Sequence, residues 1–232
     1  MIFRAVTSAA MKSVIFDLDG TLADTSGDLI AAANARLTAR NVAPLDPVAD
    51  AVTAFAGGRA MLRLGLERAG MSGQALTEVV DVEYQPFLEV YATHIDRETR
   101  LYPGVREAVA TLEAAGYAIG LCTNKPVDLA EELMQRLEFR TPFTAFVGAG
   151  TLPVRKPDPS MLTETLTRLG GAVEHSVLIG DTITDRDTAR AAGGKVVLVT
   201  FGPTGRAVAD LAPDALLDHF DDLPGVVDRL LN

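Results

Sequence analysis

Asp17 and Asp19 stand two residues apart at the end of an apolar run, Val14, Ile15 and Phe16. Gly20 then lets the chain turn, and Thr21 adds a hydroxyl. Carboxylates placed this way can attack an electrophile, move protons or bind a cation. Three further stretches carry reactive groups: Thr123-Asn124-Lys125, Arg155-Lys156-Pro157-Asp158 and Gly180-Asp181-Thr182-Ile183-Thr184-Asp185. Brought together, Asp17, Asp19, Asp181 and Asp185 crowd their negative charges, and Lys156 offsets one of them. Like charges at short range raise pKa values or require a counter-cation. Mg²⁺ suits such a cluster, because it binds one or two carboxylates and shares the oxygens of a substrate phosphate. The N–H groups of Gly20 and of the loop around Thr182, with the hydroxyls of Thr21 and Thr123, are donors for an anion.

The elements that must position these groups follow from hydrophobic patterning. Val14 to Phe16 reads as a strand buried on both faces. Beyond Leu101-Tyr102-Pro103-Gly104, strands at 117–122, 145–148, 176–180, 195–200 and 215–217 alternate with helices at 105–115, 127–137, 159–169, 185–192, 204–211 and 223–230. This alternation predicts an α/β fold, a Rossmann-like doubly wound parallel sheet with helices on both faces. The polar stretches fall at or beyond strand ends, where open parallel sheets bind their ligands. Residues 24–98 instead show helical spacing, as in Leu29, Ala33 and Leu37, broken at Gly57-Gly58, and no convincing strand. The expected organisation is a core domain of residues 1–24 and 99–232 with an inserted all-helical cap domain at 25–98.

Composition narrows the partners. A net charge of -10 disfavours nucleic acid and anionic membranes. No apolar run reaches the roughly 18 residues of a membrane span. The first ten residues make a poor secretory signal, and Met1 and Met11 are both candidate starts. A lone cysteine, Cys122, suits a reducing, cytoplasmic setting, and its apolar neighbours predict a buried structural thiol. Asp24 reads as a helix cap, Asp158 as a turn residue, and His94, His175 and His219 match no motif. Arg155 reads equally as solvated or substrate-facing.

The ordered motifs resemble those of the haloacid dehalogenase (HAD) superfamily: Asp17-Leu18-Asp19-Gly20-Thr21, then Thr123-Asn124, then Lys156, then Gly180 to Asp185. The resemblance spans nearly the whole chain and is closest to its phosphoglycolate phosphatases with a C1-type helical cap, through Leu101 to Val105 and Cys122 to Pro126. It implies a Mg²⁺-dependent phosphatase with Asp17 as nucleophile, Asp19 as acid and base, and Lys156 balancing charge. It implies Asp17, Asp181 and the Asp19 carbonyl as metal ligands, with Asp185 assisting at the metal or fixing Lys156. Gly20, Thr21, Thr123, Asn124, Lys125 and, from the cap, Arg59 are the expected phosphate and substrate contacts. Asp19 favours phosphoryl transfer over carbon–halogen cleavage. The implied partner is a small phosphorylated metabolite, with 2-phosphoglycolate foremost. A sugar-phosphate mutase, or a phosphatase for another ester or pyrophosphate, is the alternative. The chain is expected as a monomer or homodimer.

Overall fold

The structure, a computed structural model, describes residues 11–202 and 204–232. The question of the starting methionine and the reading of the leader therefore lie largely outside the described residues. Strands β1 (Met11–Phe16), β4 (Ala118–Pro126), β5 (Ala145–Ala149), β6 (Gly171–Gly180), β7 (Lys195–Val199) and β8 (Ala215–Leu217) form one parallel sheet. Their order is β5-β4-β1-β6-β7-β8. The chain departs from β1 toward β4 and β5, then crosses to β6 on the other side. This reversal beside β1 is the topological switch point at which doubly wound sheets bind ligands.

Alternation along each strand feeds two apolar layers. Val14 and Phe16 of β1 join one cluster, with helices α5 (Val105–Ala114), α6 (Val127–Arg136) and α9 (Leu223–Leu231). Ile15 faces the other way, toward α7 (Ser160–Leu169) and α8 (Ile183–Ala191). Cys122 is fully buried in that second layer, and burial pushes its thiol up to about 12.

Residues between β1 and β4 build helices α1 (Ser26–Ala39), α2 (Ala51–Phe55), α3 (Gly58–Arg68) and α4 (Gly73–Thr93). Leu37, Met61, Leu62, Leu66, Phe87 and Tyr91 are buried among them, each by 1% exposure or less. Burial of one such side chain contributes about 1.5–3 kcal/mol. Gly58 permits the close approach of α3 to α4, since a Cβ there would run into the Phe87 ring. The insertion is rooted in a short antiparallel ribbon, β2 (Ala23–Asp24) against β3 (Arg100–Leu101). Asp28, 2% exposed, secures the return: it accepts from the Glu98 and Thr99 N–H groups and the Thr99 hydroxyl.

Several boundaries differ from the sequence expectation. β6 starts at Gly171, but its register against β1 breaks between Met11 and Ser13, leaving exposed Glu174 and His175 outside the regular ladder. Helix α2 starts at Ala51 because Asp46 takes up the Val48 and Ala49 N–H groups in a preceding turn. Residues Gly205–Leu211 form a 3₁₀ helix. Among the described residues, no helix is long and apolar enough to cross a membrane.

Candidate active site

The carboxyl ends of β1, β4 and β6 and the loop after β5 open on one cavity of about 580 Å³, roofed by α2, α3 and α4. Asp17, Asp19, Thr123, Asn124, Lys125, Lys156 and Asp181 all line it. Strand β4 runs four residues further than its apolar pattern, so Thr123, Asn124 and Lys125 sit on the strand end itself.

Lys156 is the hinge of the electrostatics. Its ammonium, 2% exposed, lies 3.0 Å from Asp17 Oδ2 and 2.6 Å from Asp185 Oδ1. Burial alone would push its pKa down, but Asp17 and Asp185 more than compensate and hold it charged. Asp185 is fixed on its other oxygen too: Oδ2 accepts from the Asp181 and Thr182 N–H groups and the Thr182 hydroxyl. The Thr182–Asp185 part of this is the capping box that starts α8. Of the two tasks expected for Asp185, the geometry supports the fixing of Lys156.

Asp17 is left with one oxygen uncommitted. Its Oδ1 is buried and has no hydrogen-bond partner. Burial raises the Asp17 pKa to about 6, with Asp185 and Asp19 adding to the rise and Lys156 opposing it. Burial, then Asp185 and Asp17, push Asp181 well above the usual carboxylate range. One oxygen each from Asp17, Asp181 and Asp185 lie within 4.8 Å of one another. An orphaned buried oxygen among crowded carboxylates fits a hard divalent cation, which would satisfy the oxygen and lower both pKa values.

Other expected contacts have different tasks. Thr21 is fully buried and donates to Asp181 Oδ1 at 3.2 Å, so its hydroxyl serves the carboxylate and is not presented to a phosphate. Asn124 spends both ends of its amide on the Lys156 main chain, at 3.0 and 2.9 Å, and so clamps the third motif to β4. Lys125 is buried, and its ammonium is taken by Asp19 Oδ1 at 2.9 Å and the Tyr91 hydroxyl at 2.7 Å. Arg59 lines the cavity, paired with Asp81 and stacked 4.3 Å over Tyr84. Gly20 has φ +81, and a Cβ there would strike the Asp181 carboxylate; its N–H is spent on the Ala23 carbonyl at 2.9 Å and so, against expectation, is not presented to a phosphate. Thr123 is 1% exposed, and its oxygen accepts the Lys125 N–H, leaving its proton to donate. Arg155 lines the cavity, exposed, and its guanidinium has no ion-pair partner among the described residues. Asp158 accepts from the Ser160 N–H, as its turn reading expected; Asp24 accepts from the Ser26 N–H, but the cap position of α1 is Thr25, so Asp24 forms a turn one residue before the expected cap. None of the histidines lines the cavity among the described residues.

Two residues at the site were not readable as such. Thr25 donates to Asp19 Oδ1 at 2.8 Å, and Tyr91 reaches Lys125 from α4. Tyr91 follows Tyr84 and Phe87 at helical spacing, and its ring lies 6.2 Å from that of Phe87. In sequence this is a core stripe, with nothing to mark its hydroxyl.

A parallel sheet with a charged switch point, Asp17 facing Lys156, and acidic partners just after β6 and in the first turn of α8 define a hydrolase class. Residues 11–193 match the model of the haloacid dehalogenase-like hydrolases, and the chain belongs to that family. It is 40% identical to a phosphoglycolate phosphatase of Mesorhizobium japonicum over 90% of this chain and 92% of the relative. It is 36% identical to an N-acetylmuramic acid 6-phosphate phosphatase of Pseudomonas aeruginosa over 95% of this chain and 96% of that one. A crystal structure described as a predicted phosphoglycolate phosphatase from Haemophilus somnus superposes with a TM-score of 0.80 at 25% identity, covering 94% of this chain and 99% of the other.

Proposed function

We propose that this phosphoric monoester hydrolase cleaves 2-phosphoglycolate in the cytoplasm, through a phosphorylated Asp17. The observation that carries the chemistry is the inequality of the two Asp17 oxygens. Oδ2 is held by Lys156, and Oδ1 is buried and unpartnered, with one Asp17 oxygen within 4.8 Å of oxygens of Asp181 and Asp185. In the first step an Asp17 oxygen attacks phosphorus and the bond to the leaving oxygen breaks. Asp19 gives that oxygen its proton. In the second step water attacks phosphorus, Asp19 takes a water proton, and the Asp17–phosphorus bond breaks to release phosphate. Lys156 offsets the charge on the transferring group, and the Thr123 hydroxyl is a donor to it.

Asp17, Asp181 and the Asp19 carbonyl would hold Mg²⁺. When bound, the ion supplies positive charge against the substrate phosphate and keeps Asp17 ionised. The sheet domain of residues 1–24 and 99–232 carries these groups. The cap, residues 25–98, closes on them to exclude water. Equal protease sensitivity near Ser26 and Arg100 with and without Mg²⁺ plus a phosphate analogue would count against that closure.

Two relatives supply the substrate readings: one is named for phosphoglycolate, the other for a phosphorylated sugar acid. Both leaving groups bear a carboxylate, and Arg155 is a cavity cation without an acidic partner among the described residues. A cavity of about 580 Å³ favours the larger ester as the second reading. A panel with Mg²⁺ decides between them: 2-phosphoglycolate, N-acetylmuramic acid 6-phosphate, sugar phosphates, nucleotides and pyrophosphate. The first is expected to give the highest kcat/KM with release of free phosphate. Isomerised sugar phosphate without phosphate release would overturn hydrolysis in favour of a mutase.

A further inference from the structure

Asp19, the acid–base of the reading above, is gripped at one oxygen only. Thr25 and Lys125 both donate to Oδ1, at 2.8 and 2.9 Å, and no described residue donates to Oδ2. Two donors on Oδ1 leave Oδ2 as the atom that carries the transferable proton. Lys125 is itself gripped. Its ammonium donates to the Tyr91 hydroxyl at 2.7 Å and stands 4.3 Å from the centre of the same ring.

The contacts cross between parts of the fold. Asp19 follows β1 and Lys125 ends β4, whereas Tyr91 belongs to the last turn of α4 in the helical insertion. The far end of this chain of contacts is dry, with Tyr91 1% and Lys125 6% exposed, while the Asp19 side chain keeps 19% exposure. Packing alone does not call for these groups. Phenylalanine and methionine would fill the same volumes without a hydroxyl to satisfy or a buried charge to desolvate. Lys125 and Tyr91 instead form a chain of polar contacts, and the end of that chain is the proton carrier.

We propose that Tyr91 is a positioning residue that orients the Asp19 carboxylate through Lys125, reaching from α4 to the end of the sheet. The inference rests on the acid–base assignment of Asp19. The step affected is cleavage of the bond between phosphorus and the leaving oxygen. The bonding pair goes to that oxygen, and an alkoxide needs the proton from Oδ2 as it departs. A nitrophenolate leaves without one.

The test compares wild type, Tyr91→Phe, Lys125→Met and the double variant, with Mg²⁺, on the best alkyl ester of the panel and on 4-nitrophenyl phosphate. General acid catalysis contributes about 10²–10⁴-fold, so partial misplacement should cost about 10-fold or more in kcat/KM for the alkyl ester. The loss for the aryl ester should stay below about 3-fold, because its departure draws little on the acid. The double variant should be no worse than Lys125→Met, since both substitutions break one chain. Equal losses on both esters, or losses that multiply in the double variant, would overturn the proposal. If Lys125→Met does not fold, as judged by thermal melting, Lys125→Gln carries the same comparison. Wild-type protein that hydrolyses neither ester would overturn the phosphatase reading itself, an outcome distinct from an unchanged ester ratio in the variants.

Discussion

Replacing Lys156 with methionine isolates the electrostatic design of the site. Methionine keeps most of the apolar stem and removes the charge between Asp17 and Asp185. With Mg²⁺ bound, the carboxylates of Asp17, Asp181 and Asp185, the ammonium and the dication sum to neutrality. Without the lysine the cluster keeps an excess negative charge even when the metal is present. Removing one partner of a buried pair costs about 3–5 kcal/mol, because the other charge is left uncompensated. In metal-free protein the cluster can escape part of that cost by taking up a proton at Asp17, whose pKa burial already raises to about 6. The penalty should therefore be largest near pH 8 and shrink toward pH 5. In a chain of this length, about 3 kcal/mol lowers the melting temperature by roughly 6–12 °C. Far-UV circular dichroism suits the measurement, since the chain has no tryptophan. Hydrolysis should fall by about 10²-fold or more, the scale of losing one preorganised charge at the reacting group. A Lys156→Met protein that melts within about 2 °C of wild type at both pH values would refute the role assigned to Lys156.

Other outcomes follow from the same geometry. Asp17→Asn should abolish phosphate release, with a loss of about 10³-fold or more, read by a free-phosphate assay. Gly20→Ala should lose most activity while remaining folded, because φ +81 and the Asp181 carboxylate leave no room for a Cβ; circular dichroism and turnover together check it. In chelator-treated protein, folded Asp17 holds its proton where the unfolded carboxyl has lost it, so its contribution to stability falls as pH rises from about 4 to about 6. That loss is up to about 3 kcal/mol, should be reversed by added Mg²⁺, and is measurable by urea titration. Leu62→Ala, at a fully buried site among the inserted helices, should cost about 2–5 kcal/mol by the same titration.

The sheet was legible because its strands are short apolar runs ending in polar stretches, and Asp17, Thr123, Lys156 and Asp181 do converge on one cavity. What escaped was mostly the second partner of a contact. Thr21 and Asn124 carry groups suited to phosphate, and nothing in one sequence reveals that Asp181 and the Lys156 main chain claim them first. Lys125 looked free for the same reason, since Tyr91 lies in a different part of the chain and reads as core. The start of α8 at Ile183 was available in principle from the Thr182-x-x-Asp185 spacing of a capping box. The two-residue strands β2 and β3 were not, because so few residues carry no periodicity.

That ribbon has a consequence for how such a chain can change. Ala23 pairs with Leu101 and Asp24 with Arg100, so the chain leaves the sheet and re-enters it at neighbouring points, about 5 Å apart. To the sheet, everything between them is one excursion on a hairpin stem. Its length and sequence are free to vary without altering the register of β1 against β4 and β6. Asp17, Lys156 and Asp181 can thus be inherited intact while the roof over the cavity is exchanged, and with it the molecule the cavity admits.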